Sequence, residues 1–118
     1  MKPKTTKHSV YNLNYHIVLV TKYRHPVFVG EIEIFMKQRI GEICKQYGWE
    51  QLALETMADH IHLFVSAEPS VSPLGIASTI KSILAVDVFK KFDKLKKQKF
   101  WGSGLFSRGS YYGSAGDV

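Results

Sequence analysis

Two histidines separated by one apolar residue, His60-Ile61-His62, are the side chains in this chain best suited to chemistry. The run continues as Leu63-Phe64-Val65-Ser66, which reads as a strand. Side chains alternate between the faces of a strand, so His60, His62 and Phe64 share one face and Ile61, Leu63 and Val65 the other. The second set is uninterruptedly apolar and forms the natural core face. The imidazoles then lie together on the opposite face, as two ligands of one metal ion must. The bland alternative is that both histidines simply make hydrogen bonds, since a short motif awaits its structural context.

The residues before them read as a partner strand. Gln51 to Met57 alternates, and a tight connection at Ala58-Asp59 pairs Met57 with His60, Glu55 with His62 and Leu54 with Leu63. Glu55 then stands beside the histidines, as a ligand or as the carboxylate that orients one of them. Ala-Asp is not a favoured hairpin dipeptide, and one more loop residue would turn Glu55 into the core.

The elements that must hold this hairpin follow from the rest of the chain. Its 118 residues suffice for one domain with one core, and 45% hydrophobic and 13% aromatic content excludes a disordered chain. Sixteen basic against ten acidic residues leave a net charge of +6, which favours a polyanionic partner, nucleic acid before an anionic membrane surface. No apolar run approaches a membrane span, and Met1-Lys2-Pro3-Lys4 lacks the apolar core of a signal peptide. A single cysteine, Cys44, excludes a disulfide framework and suits the cytoplasm; its place on an apolar helix face speaks for packing.

Residues 1–10 form a basic arm without apolar anchors, and residues 11–118 a single domain. Tyr11 to Thr21 reads as a strand with His16 on the face opposite Ile17 and Leu19; a solvated or hydrogen-bonded imidazole is expected there. Lys22-Tyr23-Arg24-His25-Pro26 then offers two cations and an aromatic that can contact phosphate and stack on a base. Glu31 to Tyr47 has helical periodicity, with acidic residues in its first turn and Gly48 as its stop. Ser72-Pro73 opens a second helix as N-cap and first residue, and its buried stripe runs from Ile76 through Ile80 and Leu84 to Val88. Six lysines in the ten residues 90–99 read as a solvated helix end and loop, adding salt-dependent affinity if nucleic acid is near. Phe100 to Gly104 reads as a glycine-rich turn, Leu105 to Tyr112 as a final strand, and Gly113 to Val118 as a loop.

The order strand, helix, strand, strand, helix, strand predicts an α+β, ferredoxin-like or RRM-like βαββαβ fold, with a four-stranded antiparallel sheet and two helices on one face. The other face, bearing His60 and His62, is left open. Open sheet faces with aromatics and basic edges serve as nucleic-acid platforms.

Five motifs in order, Tyr15-His16, Thr21-Lys22-Tyr23-Arg24-His25, Met57-Ala58-Asp59-His60-Ile61-His62-Leu63, Ile80-Lys81 and Phe100-Trp101-Gly102, carry a family resemblance. The chain from about Tyr11 to Gly116 resembles the single-tyrosine HUH transposases, the TnpA-type enzymes of the smallest insertion sequences in the REP-associated tyrosine transposase superfamily. The resemblance implies a homodimer that binds single-stranded DNA with hairpins at mobile-element ends, then cleaves and rejoins it through a 5′-phosphotyrosine. It implies Mg²⁺ or Mn²⁺ held by His60 and His62, and DNA contacts from Lys22, Arg24 and Lys81; Arg108 joins them on charge alone. In such enzymes the nucleophilic tyrosine follows the final strand, on a helix with a glutamine of the metal site. The expected tyrosine thus lies beyond Val118, the domain reads as truncated at its C-terminal end, and neither Tyr111 nor Tyr112 aligns with it. This chain is therefore expected to bind DNA without cutting it. A non-enzymatic, RRM-like binding module is the alternative, and metal affinity separates the two. A phosphoesterase with two His-x-Thr/Ser motifs is set aside because no second motif occurs.

Overall fold

The computed structural model describes residues 12–100 and 104–114. The basic arm, most of the turn at Trp101 to Ser103 and the last residues, 115–118, lie outside the described residues. Strand β1 (Leu13–Val20) leads through a 3₁₀ turn (Lys22–Arg24) to helix α1 (Gly30–Tyr47). Strands β2 (Glu50–Met57) and β3 (His60–Ala67) form the hairpin, followed by helix α2 (Pro73–Lys91), a short helix α3 (Leu95–Phe100) and strand β4 (Tyr111–Ser114).

These elements build the expected α+β fold. The sheet order is β2-β3-β1-β4 and the pairings are antiparallel. Ile17, Leu19, Ile61, Leu63 and Val65 supply one sheet face and are almost wholly buried against Met36, Ile40 and Ile43 of α1 and Ile76, Ile80 and Leu84 of α2. Each such side chain withdrawn from water contributes about 1.5–3 kcal/mol. Burial pushes the Cys44 thiol up to about 11, which leaves it an unreactive packing residue.

Local signals end the helices where the sequence places them. Gly48 closes α1 at φ 77°, a left-handed conformation that a Cβ disfavours. Ser72 caps α2 by accepting from the Gly75 amide, and Pro73 follows at the first helical position. Arg39 of α1 donates to Asp87 of α2 at 2.7 Å, joining the two helices at their surface.

Two expectations need correction. The lysine-rich stretch is not a loop: Leu95–Phe100 is helical because Leu95 and Phe100 are both buried and anchor it while its lysines stay in water. The final strand begins six residues later than its composition suggests. Leu105 and Phe106 are buried side by side, and Phe106 makes only an isolated bridge to Thr21. Ser107 then donates to the Val20 carbonyl, Lys81 reaches the carbonyl of Arg108, and the ladder with β1 resumes only at Tyr111. Two adjacent buried residues break the alternation that a strand requires.

Candidate metal and nucleic-acid site

The hairpin register puts Met57 opposite His60, Glu55 opposite His62 and Leu54 opposite Leu63. Ala58 and Asp59 make the two-residue turn, and their carbonyls are used: Asp59 accepts from the Thr21 amide and Ala58 from the Phe28 amide. A dipeptide poor in intrinsic turn propensity is thus held by the segment that follows β1. A register irregularity between Gln51 and Ala53 lies farther along β2.

The open face carries His60, His62 and Phe64 from β3, His16 and Val18 from β1, and Glu55 from β2. A cavity of about 150 Å³ opens between Ala53, Glu55, His62 and Phe64. Tyr111, opposite Val18, projects from the same face and is 70% exposed; Tyr112, opposite Ile17, belongs to the other face.

The two histidines are held differently. His60 shares a proton through Nδ1 with Asp59 Oδ1 at 2.9 Å, and Arg24 Nε donates to the other carboxylate oxygen of Asp59 at 3.1 Å. The His60 hydrogen bond first, then the Arg24 guanidinium, hold the Asp59 carboxyl below its ordinary value. With Nδ1 engaged by a carboxylate, Nε2 is the His60 nitrogen left for a cation, the pairing by which proteins orient a metal-bound imidazole. His62 instead points Nε2 at Nδ1 of His16, 2.9 Å away. His16 pairs with Phe64 across the β1–β3 ladder, whereas Val20 pairs with His60, so the His62 tip is turned away from the His60 end of the strand. Consistent with this, no three His, Cys, Asp or Glu side chains converge on an ion-sized site among the described residues.

The chain reaches Asp59 through an unusual turn. Tyr23 and Arg24 both have positive φ, 60° and 54°. Non-glycine residues are uncommon there and cluster where a side chain must be aimed. Thr21 supports the turn by donating its hydroxyl to the His25 carbonyl at 2.8 Å. The result carries Arg24 onto Asp59 while leaving its side chain 67% exposed, and Lys22 lies beside it.

The expected DNA contacts therefore fall into two groups. Lys22 and Arg24 border the Ala58–Asp59 turn. Lys81 projects from α2 and donates Nζ to the Arg108 carbonyl at 2.9 Å, tying down the approach to β4, and burial lowers its ammonium pKa. Arg108 is exposed on that approach, which runs beside the Lys22 turn because Lys22 donates its amide to the Leu105 carbonyl. Glu55 faces His62 across the cavity. Asp59 and His16, which the motifs do not mark as ligands, are the side chains in contact with His60 and His62. Asp59 is visible as the carboxylate adjoining the histidine pair, and His16 through the alternation of β1 and the Tyr15-His16 motif.

Comparison with known proteins gives a consistent picture. Residues 9–118 match the family model described as Transposase IS200 like. Over 98 residues the chain is 37% identical to the ISDra2 transposase TnpA of Deinococcus radiodurans, covering 83% of this chain and 69% of that protein. It is 28% identical over 107 residues to the transposase for insertion sequence element IS200 of Salmonella typhimurium, covering 87% of this chain and 70% of the other. A crystal structure of a candidate transposase from Deinococcus radiodurans R1 superposes with a TM-score of 0.79 at 35% identity, over 86% of this chain and 78% of that one. A REP-associated tyrosine transposase bound to a REP hairpin superposes with a TM-score of 0.56 over 90% of this chain and 58% of that one; at 10% identity it speaks to the fold alone.

Proposed function

The chain belongs to the family of IS200-like transposases, and on that premise we propose that it recognises single-stranded DNA with hairpins at the ends of a mobile element. The observation that carries this reading is the continuous link from Arg24 through Asp59 to His60, which joins the basic turn to the histidine pair. A phosphate brought in by Lys22 and Arg24 arrives where His60 stands. His60 and His62 would hold Mg²⁺ or Mn²⁺, which supplies a Lewis acid for a scissile phosphate oxygen. Asp59 keeps His60 in the orientation and tautomer that leave Nε2 available.

In the strand-transfer reaction a tyrosine oxygen attacks phosphorus and the bond from phosphorus to the 3′ oxygen breaks. The 3′ oxygen leaves as a hydroxyl after taking up a proton, and the 5′ end stays on the protein as a phosphotyrosine. That ester conserves the bond's energy, so the strands rejoin without ATP. In this reading neither Tyr111 nor Tyr112 is the nucleophile. Tyr112 lies on the helix-bearing face, and Tyr111 stands two strands from His62, about 10 Å at the usual strand spacing. The protein acts as a homodimer, which sedimentation would detect directly. Among the described residues no helix is long and apolar enough to cross a membrane.

The test is electrophoresis with a labelled single-stranded hairpin oligonucleotide and Mn²⁺. The expected result is a native complex that excess duplex does not displace and that weakens as salt rises, since lysine and arginine contacts to phosphate release counterions. Equal affinity for duplex would sink the single-strand reading. A covalent adduct surviving denaturation but lost in Tyr111→Phe would place the nucleophile on β4.

A second reading, a non-enzymatic RRM-like module, is favoured by one observation: each histidine already has a hydrogen-bond partner, and His16 packs on Phe64 at 3.8 Å between ring centroids. Calorimetric titration with Mn²⁺ separates the two, because that module needs no ion.

A further inference from the structure

We infer that His16 is a positioning residue of the metal site, engaging His62 Nε2 so that the Nδ1 lone pair of His62 is the one offered to a cation. The inference rests on the metal-dependent reading above. At 2.9 Å, Nδ1 of His16 and Nε2 of His62 share one proton, so one nitrogen donates and the other accepts. A neutral imidazole has one N–H and one lone pair. If His16 donated, His62 would spend its lone pair on His16 and carry its own proton on Nδ1, with nothing left for an ion. If His62 donates from Nε2, its Nδ1 lone pair is free. With the contact to His16 kept, only the second arrangement makes His62 a ligand, and it requires His16 as acceptor.

The surroundings of His16 are built for that task. On one side its ring lies on Phe64, with centroids 3.8 Å apart and planes tilted by 43°. On the other side its ladder neighbour is Gly113 of β4, which contributes no side chain. Its ring thus has a fixed wall and an open flank, and Nδ1, the nitrogen nearer the backbone, meets the tip of the His62 ring. The two ligands are consequently offered in opposite senses: His60 by Nε2, with Asp59 behind Nδ1, and His62 by Nδ1, with His16 behind Nε2.

Two substitutions separate positioning from packing. His16→Phe keeps a ring against Phe64 and removes the acceptor; His16→Asn keeps an acceptor near the Nδ1 position and removes the ring. Mn²⁺ titration by calorimetry should show His16→Phe weaker by about 10- to 100-fold, the usual cost of losing a partner behind a metal ligand. His16→Asn should bind close to wild type, and both variants should melt like wild type without metal. Long-range ¹H–¹⁵N correlation spectra of the metal-free protein at mildly alkaline pH should show the His62 proton on Nε2. A His62 proton on Nδ1, or Mn²⁺ affinity in His16→Phe equal to or tighter than wild type, overturns the role. If Mn²⁺ binding is lost in His62→Ala yet indifferent to His16→Phe, only the positioning role falls. If the wild-type protein takes no Mn²⁺, the metal reading falls and His16 with it.

Discussion

The two histidines of β3 sit two residues apart on one face of one strand, yet they are held by different physics. His60 is held by charge: Asp59, its immediate neighbour in sequence, is in turn held by the exposed guanidinium of Arg24. His62 is held by the His16 imidazole, 46 residues away in sequence and packed on Phe64 within the sheet face. One support is local and open to salt and solvent; the other is long-range, and its strength depends on the β1–β3 register. A single motif can therefore carry two ligands whose sensitivities to conditions and to mutation diverge.

The comparison breaks most completely if the strand itself is loosened. Ile61 is fully buried on the core face between the two histidines, so Ile61→Ala should cost about 2–5 kcal/mol in urea unfolding and disturb both supports together. Next in size, His60→Ala or His62→Ala should weaken Mn²⁺ binding by about 100-fold or more, beyond the cost of losing an outer partner. An unchanged titration for either would remove that histidine from the site. The charged support can be cut alone. Asp59→Asn should weaken Mn²⁺ binding by about 10-fold, and adding Arg24→Met should change little further, because Arg24 acts on His60 only through Asp59. A fully additive double mutant would show that Arg24 works by another route.

Acid distinguishes the supports more gently. The Asp59 carboxyl is depressed in the folded protein, so its contribution is present above the ordinary aspartate value of about 3.9 and is lost as pH falls through its lower folded value. Stability curves by urea should therefore steepen on the acid side, and Asp59→Asn should flatten part of that limb. Glu33, depressed chiefly by the 2.6 Å hydrogen bond from Thr56, contributes in the same direction and would remain. The smallest effect should come from the control far from the site. Ser72→Ala removes the cap of α2 for about 1 kcal/mol and should leave Mn²⁺ affinity untouched; a large loss of affinity would mean that α2 is coupled to the open face.

Much of this molecule is legible from short-range pattern, and the exceptions share a cause. Alternation along residues 51–66 yields the hairpin, its register and the Glu55–His62 pairing, because a two-residue connection leaves few other registers that keep the core face apolar. Gly48 and Ser72-Pro73 mark helix ends by chemistry confined to one turn of chain. The α3 segment and the late start of β4 are not legible in this way. Both depend on which apolar residues find the core, and the lysines of 90–99 conceal Leu95 and Phe100 among them.

What the sequence by itself determined is the kind of site: two imidazoles on the polar face of a strand, with a carboxylate at the turn and basic residues in the same chain. What only the tertiary structure decided is which group stands behind each imidazole. The Arg24–Asp59 and His16–His62 contacts join residues 35 and 46 positions apart. They exist because the β1–β3 ladder settles into one register and because Tyr23 and Arg24 adopt backbone angles that local propensity disfavours. Periodicity says which face a side chain occupies. The partner it meets there depends on how separate segments of the chain come to lie side by side.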